Sequence, residues 1–324
     1  MAKNILVTGG AGYIGSVLTR KLLEQGHNVR VADCLKWGGL ALLPFFSNPR
    51  FEFSHVDLRS EQGRKRALQG ISEVVHLAAI VGDPACKNEP ELAEETNWQA
   101  TKDLFNLARV FGVKRFIFAS TCSNYGKISG SDSYIDETGV LNPISLYAKL
   151  KVKCEEYILR VSRDGMAVVS LRFATAYGVS GRMRFDLTVN EFAKDLALGK
   201  ELLVFGEQFW RPYCHVEDIC QACILALEAD KKSVDGNIFN VGDTKENYQK
   251  RILVEMIRKC ISSAKFTFVH KDEDPRDYKV NFEKIRKKLK FKIKKTVADG
   301  IDEVIALVRS GVIPDCDSAK YKNS

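Results

Sequence analysis

The first twenty-four residues constrain the fold more than any other part of the chain. Asn4-Ile5-Leu6-Val7-Thr8 is a short apolar run that passes directly into Gly9-Gly10-Ala11-Gly12-Tyr13-Ile14-Gly15, a G-x-x-G-x-x-G turn. Apolar residues then recur at helical spacing through Ser16–Glu24. A strand, a glycine turn and an amphipathic helix, in that order, open a parallel α/β unit. Such a turn lets backbone approach a pyrophosphate closely, and the helix N-terminus faces its negative charge. The pattern alone is weak, but Asp33 ends the second strand-like run at the distance expected of a carboxylate on an adenosine ribose. Gly9, Gly12, Tyr13, Ile14, Gly15 and Asp33 are therefore candidate dinucleotide-binding residues. Asp33 would repel a 2′-phosphate and favours NAD over NADP, with Lys36 the nearby feature that argues the other way. Asp57-Leu58, expected to end a third strand over Phe51–Asp57, is placed to meet an adenine amine. The alternative for Asp57 is a cap on the helix that follows Ser60.

Strand-like and helix-like segments go on alternating. Val29–Asp33, Phe51–Asp57, Val74–Leu77, Arg115–Ser120 and Ala167–Phe173 read as strands, and Glu91–Val110 and Ser145–Ser162 as helices. This alternation predicts an α/β fold with a doubly wound parallel sheet covered on both faces. After Gly178 the pattern loosens. Gly181, the Arg182/Arg184 pair and a helix near Asp186–Leu198 suggest a second, smaller α/β lobe. The expected division is 1–178 for the cofactor domain, with a return to its sheet within 215–242, and 179–324 mainly for the lobe.

At 324 residues and 45% hydrophobic content the chain is long enough for a full core and a second lobe. No run approaches the 18 or so apolar residues of a membrane span, and MAKNILVTGG runs straight into a strand, so no signal peptide is expected. Nine irregularly spaced cysteines argue against a disulfide framework and for a reduced, cytoplasmic protein. Cys220 and Cys223 have C-x-x-C spacing but sit in an apolar helical pattern without a second pair, so they read as core packing and no metal site is expected. The net charge of +8 lies entirely beyond Thr244, where 20 Lys/Arg face 12 Asp/Glu. KIRKKLKFKIKK (284–295) reads as a solvated helix face followed by a short strand, with Phe282, Ile285 and Leu289 turned inward. No aromatic ladder or binding motif accompanies it, which argues against nucleic acid. Attraction of anionic small molecules or lipid stays open.

Tyr147 and Lys151 form Y-x-x-x-K in a helical stretch and share one face. A phenol with a pKa near 10 is a poor base at neutral pH. A neighbouring ammonium, aided by the positive nicotinamide ring, is expected to lower that value, so that the Tyr takes a proton from a hydroxyl as hydride leaves the same carbon.

The glycine turn, this pair and a hydroxyl-bearing fifth strand together resemble the extended short-chain dehydrogenase/reductase family, specifically its NAD-dependent nucleotide-sugar epimerases and dehydratases. TGGAGYIG (8–15), HLAA (76–79), Asn97, STCSNYG (120–126), YAKLK (147–151), LRFATAYG (171–178), RPYCHVED (211–218) and FNVG (239–242) follow one another in the family's order. The resemblance implies a Rossmann-type domain holding NAD, a lobe gripping a nucleoside-diphosphate sugar, and oxidation of a ring hydroxyl, usually at C4, to a ketone. It implies that Thr121 hydrogen-bonds the reacting oxygen beside Tyr147 and Lys151, with Ser120 in support. It adds Ala78, Asn97 and Ser120 to the cofactor residues, and Thr175, Asn190, Arg211 and Arg276 on the substrate side, where arginine's fork suits a diphosphate. It also implies a homodimer through the helices near Asn97–Val110 and Leu146–Arg160.

Where 4,6-dehydratases of the family carry an Asp-Glu pair this chain has Cys122 and Ser123, and decarboxylases carry Glu at the position of Ser123. Elimination and decarboxylation are therefore disfavoured. A 3,5-epimerase role for Cys122 is weakened by its shifted register and by the lack of a His after Tyr177-Gly178, so Cys122 reads as packing. Two departures, Thr175 for the usual Asn and Pro212 for the usual Asp, bear on the substrate pose. His76 and His215 read as structural. The expectation is an NAD-dependent sugar-nucleotide epimerase acting through a 4-keto sugar. A 4-dehydrogenase or ketoreductase of the same fold is the alternative, and a non-catalytic NAD-sensing or nucleic-acid-binding protein a more distant one.

Overall fold

Seven parallel strands run through the centre of the molecule. The computed structural model describes residues 2–127, 134–161, 165–271 and 277–323. β1 (Asn4–Thr8), β2 (Asn28–Asp33), β3 (Phe51–His55), β4 (Glu73–His76), β5 (Arg115–Thr121), β6 (Ala167–Phe173) and β7 (Asn237–Val241) stand in the order β3-β2-β1-β4-β5-β6-β7. Every pairing is parallel. The order reverses between β1 and β4, and the crevice at their carboxyl ends is where such sheets bind ligands.

Alternation along β1 builds both faces. Ile5 and Val7 pack with Val17, Leu18 and Leu22 of the helix Tyr13–Glu24 and with Ile219 and Cys223 of the helix Val216–Glu228. Leu6 joins the opposite layer with Leu68, Leu104, Phe105 and Ile158 from the helices Glu61–Leu68, Ala100–Val110 and Leu146–Arg160. Coverage on both sides is why β5 and β6 are buried along their whole length. Cys220 and Cys223 are fully buried packing residues of the covering helix.

The second lobe surrounds the carboxyl ends of the sheet. Its strands are Thr175–Tyr177, Trp210–His215 and Asn247–Gln249 in one sheet, Glu201–Phe205 beside Lys265–Val269, and Tyr134–Ile135 beside Lys279–Val280. The lobes are laced together at the glycine turn: Tyr13 Oη donates to the Gly178 carbonyl at 2.6 Å, and Ser180 Oγ donates to the Tyr13 carbonyl at 2.6 Å. The last residues close the far side, where Phe185 N donates to the Tyr321 carbonyl at 2.9 Å.

Three sequence expectations are corrected. β3 stops at His55, so Asp57 lies in the following loop, where Arg59 binds its carboxylate. The helix expected over 91–110 is two α segments joined by a π-helical stretch, Glu94–Gln99. Within 215–242 the chain brings both the helix Val216–Glu228 and β7 to the main sheet, whereas Trp210–His215 pairs within the lobe. No strand follows the basic helix Glu283–Leu289. Lys290 ends that helix in the left-handed region (φ 55°), and the backbone N–H groups of Lys294 and Lys295 are taken by the Asp218 carboxylate rather than by a partner strand. Phe282, Ile285 and Leu289 do point inward. No described helix is long and apolar enough to cross a membrane.

Candidate active site

A cavity of about 670 Å³ opens over the β1–β4 crevice. Its wall includes Gly9, Gly12, Tyr13, Ile14 and Gly15. Gly9 has φ 70°, and a Cβ there would stand 2.8 Å from the Ala78 nitrogen. A Cβ on Gly15 would stand 2.2 Å from the Gly9 carbonyl oxygen. Side chains at these two positions would fill or break the turn. Gly12 caps the helix Tyr13–Glu24 without a side-chain bond to its first N–H groups, an arrangement suited to an anion. Asp33 Oδ2 accepts from Ala11 N at 3.0 Å and Oδ1 from Leu35 N at 2.8 Å. Burial lifts this carboxyl above its ordinary range while those two N–H groups hold it back. Asp57, Leu58 and Ala78 line the same wall. The Lys36 ammonium is neutralised by Glu89 at 2.5 Å. A glycine cradle, a helix start and an anchored carboxylate fit a dinucleotide such as NAD.

At the other end the tip of β5 meets the helix Leu146–Arg160. Ser120, Thr121, Ser123, Tyr147, Lys151 and Thr175 all line the cavity. Ser145 caps this helix, its Oγ accepting from Ala148 N at 3.2 Å, which fixes where Tyr147 emerges. Lys151 is buried, its ammonium donating to the Ala119 carbonyl at 2.8 Å and lying 5.8 Å from the Tyr147 ring centre. Burial pushes Lys151 down to about 8. Burial pushes the Tyr147 phenol above its ordinary value, and the cation that opposes the rise is Arg184.

Other sequence-predicted residues stand behind the wall. Asn97 is buried, its amide bonded to both N–H and C=O of Ile80 at 2.7 and 2.9 Å, so it shapes the loop after β4. Asn190 is fully buried: Oδ1 accepts from Gly178 N at 2.9 Å and Nδ2 donates to the Arg184 carbonyl at 2.9 Å. Arg211 donates to the Trp210 carbonyl at 2.8 Å and lies 5.5 Å from the ring centre of Tyr278, which does line the cavity. Arg276 falls outside the described residues. Cys122 is buried off the cavity, its Sγ donating to the Arg172 carbonyl at 3.2 Å, and burial raises its thiol well above the usual value. His215 is structural, Nδ1 accepting from Glu217 N and Nε2 meeting Glu303 at 2.9 Å.

The comparisons with known proteins fit this geometry. The model of the NAD dependent epimerase/dehydratase family matches residues 5–242. The chain belongs to that family. This family member is 30% identical to a UDP-glucose 4-epimerase of Corynebacterium glutamicum over 78% of its own length and 79% of the relative's. It is 26% identical to a UDP-N-acetyl-α-D-glucosaminuronate decarboxylase of Bacillus cytotoxicus over 95% and 98%. The crystal structure of UDP-glucuronic acid 4-epimerase from Bacillus cereus, in complex with UDP-glucuronic acid and NAD, superposes with a TM-score of 0.84 at 26% identity, covering 95% of this chain and 99% of that one.

Within the family frame, several cavity residues were not assigned a role from sequence. Arg182 and Arg184, noted only as a pair opening the lobe, both line the cavity, as do Trp37, Asp83, Tyr278 and Asn323. Arg184 is bound two-pronged by Asp186 at 3.0 and 2.6 Å. These residues come from distant parts of the chain, and the adjacent Arg182/Arg184 pair was the one sequence signal for them. Among the described residues no cluster of His, Cys, Asp and Glu could hold a metal ion.

Proposed function

We propose that this chain is an NAD-dependent nucleoside-diphosphate-sugar epimerase acting through a transient 4-keto sugar, most simply a 4-epimerase. The observation that carries this reading is the meeting of Thr121, Tyr147 and Lys151 with the glycine cradle on one cavity from which Cys122 is withdrawn. NAD supplies, when bound, the hydride acceptor and donor at the sugar carbon. Tyr147 Oη holds the proton exchanged with the sugar oxygen. Thr121 Oγ1, which accepts from Ser123 N at 3.1 Å, donates its own proton toward that oxygen. Lys151 fixes the carbonyl end of β5 against the catalytic helix. Residues 1–178 with 215–242 serve the cofactor, and 179–324 mainly grip the sugar nucleotide.

The test incubates purified protein with UDP-, GDP-, dTDP- and CDP-hexoses, with nuclear magnetic resonance of the product and absorbance in the reduced-nicotinamide band. Epimer formation without net reduction is expected. Accumulation of reduced cofactor, or consumption of a second substrate, would replace the epimerase by a 4-dehydrogenase or ketoreductase.

A homodimer and a cytoplasmic setting complete the proposal. The helix Leu146–Arg160 and the segment Pro90–Val110 lie side by side, joined by Lys153–Glu94 at 2.8 Å, and offer a two-helix face to a second copy. All nine cysteines are free, seven of them buried, which suits a reducing compartment. Sedimentation at micromolar concentration tests the dimer.

A further inference from the structure

Arg182 is a buried guanidinium for which the described residues supply no ion-pair partner. It is 7% exposed, and of its N–H groups only one at Nη2 has a partner, the Lys322 carbonyl at 3.0 Å. Its Nε is buried with no hydrogen bond at all. Asp186, the carboxylate that acts on it, is already bound two-pronged by Arg184. Burial and the charge of Arg184 push Arg182 down to about 10. A buried cation without an anion is costly, and such groups persist where an anion completes them.

The surroundings say which anion. The guanidinium carbon lies 5.1 Å from the ring centre of Trp37, four residues beyond Asp33 at the carboxyl end of β2. Gly181 lies in contact range of Ala41 and of the glycine-turn helix, where a Cβ on it would stand 3.7 Å from Ser16 Oγ. Ser180 bonds both the Tyr13 carbonyl and Ser16 Oγ, at 2.6 and 3.1 Å. On the far side Asn323 N donates to Asp186 at 3.3 Å, and Asn323 lines the cavity. Three segments distant in sequence, the Trp37 loop, 178–186 and the tail 321–323, thus converge on Arg182 beside the helix start that faces a pyrophosphate.

We infer that Arg182, stacked on Trp37 and tied to the tail through Lys322, is a diphosphate clamp that retains the dinucleotide. The chemistry recognised is a diphosphate, and its place next to the Gly12–Tyr13 helix start assigns it to the cofactor rather than to the sugar nucleotide. The inference rests on the family's dependence on NAD and not on which sugar is turned over. An enzyme that returns hydride to its own substrate has use for a cofactor that stays in place between the two transfers.

Isothermal titration of the full-length protein with NAD, ADP-ribose, adenosine and UDP tests the clamp, for wild type, Arg182→Gln, Arg182→Lys and Trp37→Phe. Arg182→Gln should weaken ADP-ribose and NAD at least 10-fold and reduce the salt dependence of their binding, while adenosine and UDP affinities stay within 2-fold. Arg182→Lys keeps the charge but loses the planar fork and should fall between. Trp37→Phe should speed NAD release several-fold. Equal losses for adenosine and ADP-ribose would overturn the inference by assigning Arg182 to packing. Loss of UDP with NAD intact would overturn it by assigning the clamp to the substrate, and unchanged affinities throughout would also overturn it.

Discussion

Thr8 Oγ1 lies 2.7 Å from His76 Nδ1, and this contact fixes the tautomer of a buried histidine. Thr8 Oγ1 already accepts from Leu77 N and Ala78 N, each at 3.2 Å. Its lone pairs are then used, so its proton goes to Nδ1. The imidazole proton therefore sits on Nε2 and is donated to Thr101 Oγ1 at 2.8 Å. A neutral ring so held ties the carboxyl ends of β1 and β4 together directly under Gly9, whose Cα–Cβ direction faces Ala78.

Acid sensitivity follows from this arrangement. Burial, aided by the charge of Lys151, pushes His76 down to about 3, and burial pushes His215 down to about 4. In the unfolded chain both take a proton near 6.5. Below that pH the unfolded state binds more protons than the folded one, so stability falls as pH falls toward 4. Each histidine contributes about 1.4 kcal/mol per pH unit at most. His76→Gln should lower stability at neutral pH, yet lose about 2 kcal/mol less than wild type between pH 6.5 and 4.5. Urea midpoints at the two pH values measure this, and an unchanged slope would reject it.

Lys151→Met should abolish turnover and raise stability together. The folded-state pKa, about 8, is depressed below the unfolded value of 10.5. Between those values the folded chain holds fewer protons than the unfolded one, so stability rises with pH across that window, and below 8 the charged lysine weakens the fold. Removing the charge should add about 1–2 kcal/mol, after allowance for the lost bond to the Ala119 carbonyl and the lost contact with the Phe118 ring. Calorimetry that shows a lower melting temperature would count against the assignment.

The glycine turn and the helical pair were legible because their signals are local. Strand, glycine turn and Asp33 lie within thirty residues, and the Y-x-x-x-K pair lies within one helical turn. What stayed hidden is tertiary. The sign of the Tyr147 shift depends on how dry the site is and on Arg184, a residue from another lobe. Asn97 and Asn190 carry side chains suited to a ligand, but loop backbone takes them, at Ile80 and Gly178, and no spacing shows that. The run KIRKKLKFKIKK alternates like a strand after Leu289, yet Asp218 satisfies its backbone instead.

Glu155 and Arg172 form a buried pair at 2.5 Å that anchors the helix Leu146–Arg160, four residues after Lys151, to β6. Arg172 Nη1 continues to Tyr125 Oη at 2.9 Å, and that phenol donates to Asn240 on β7 at 2.7 Å. Removing one partner leaves a buried charge alone, so Glu155→Gln or Arg172→Met should each cost about 3–5 kcal/mol. The double variant should cost less than the sum, giving a coupling energy of about 1–3 kcal/mol in a double-mutant cycle. Simple additivity in denaturant unfolding would show that the pair is not a unit.

Tyr147→Phe separates chemistry from folding. The ring packs beside Leu150 and Cys86 and survives the change, while the oxygen proposed to hold the sugar's proton is lost. Turnover should fall by about 10²–10⁴-fold, with NAD affinity and the melting temperature nearly unchanged. Turnover close to wild type would remove Tyr147 from the mechanism.

Water elimination from the sugar tests the site most sharply. Forming a 4-keto-6-deoxy sugar requires a base for the C5 proton and an acid for the departing C6 hydroxyl, each contributing about 10²–10⁴-fold when positioned. The described carboxylates on the cavity wall are Asp33, Asp57 and Asp83. Asp33 is held by the Ala11 and Leu35 N–H groups and Asp57 by Arg59, both at the adenosine end. Cys122 is turned away with its thiol pushed up, and Ser123 offers a neutral hydroxyl. Asp83 alone acts on the Tyr147 end, and one carboxyl cannot serve as acid and base at once. Mass spectrometry after incubation with the four classes of nucleoside-diphosphate hexose should therefore show isomers and no product lighter by one water. Such a product at normal turnover would overturn the epimerase reading, and its disappearance in Asp83→Asn would locate the acid at the start of the helix Asp83–Asn88.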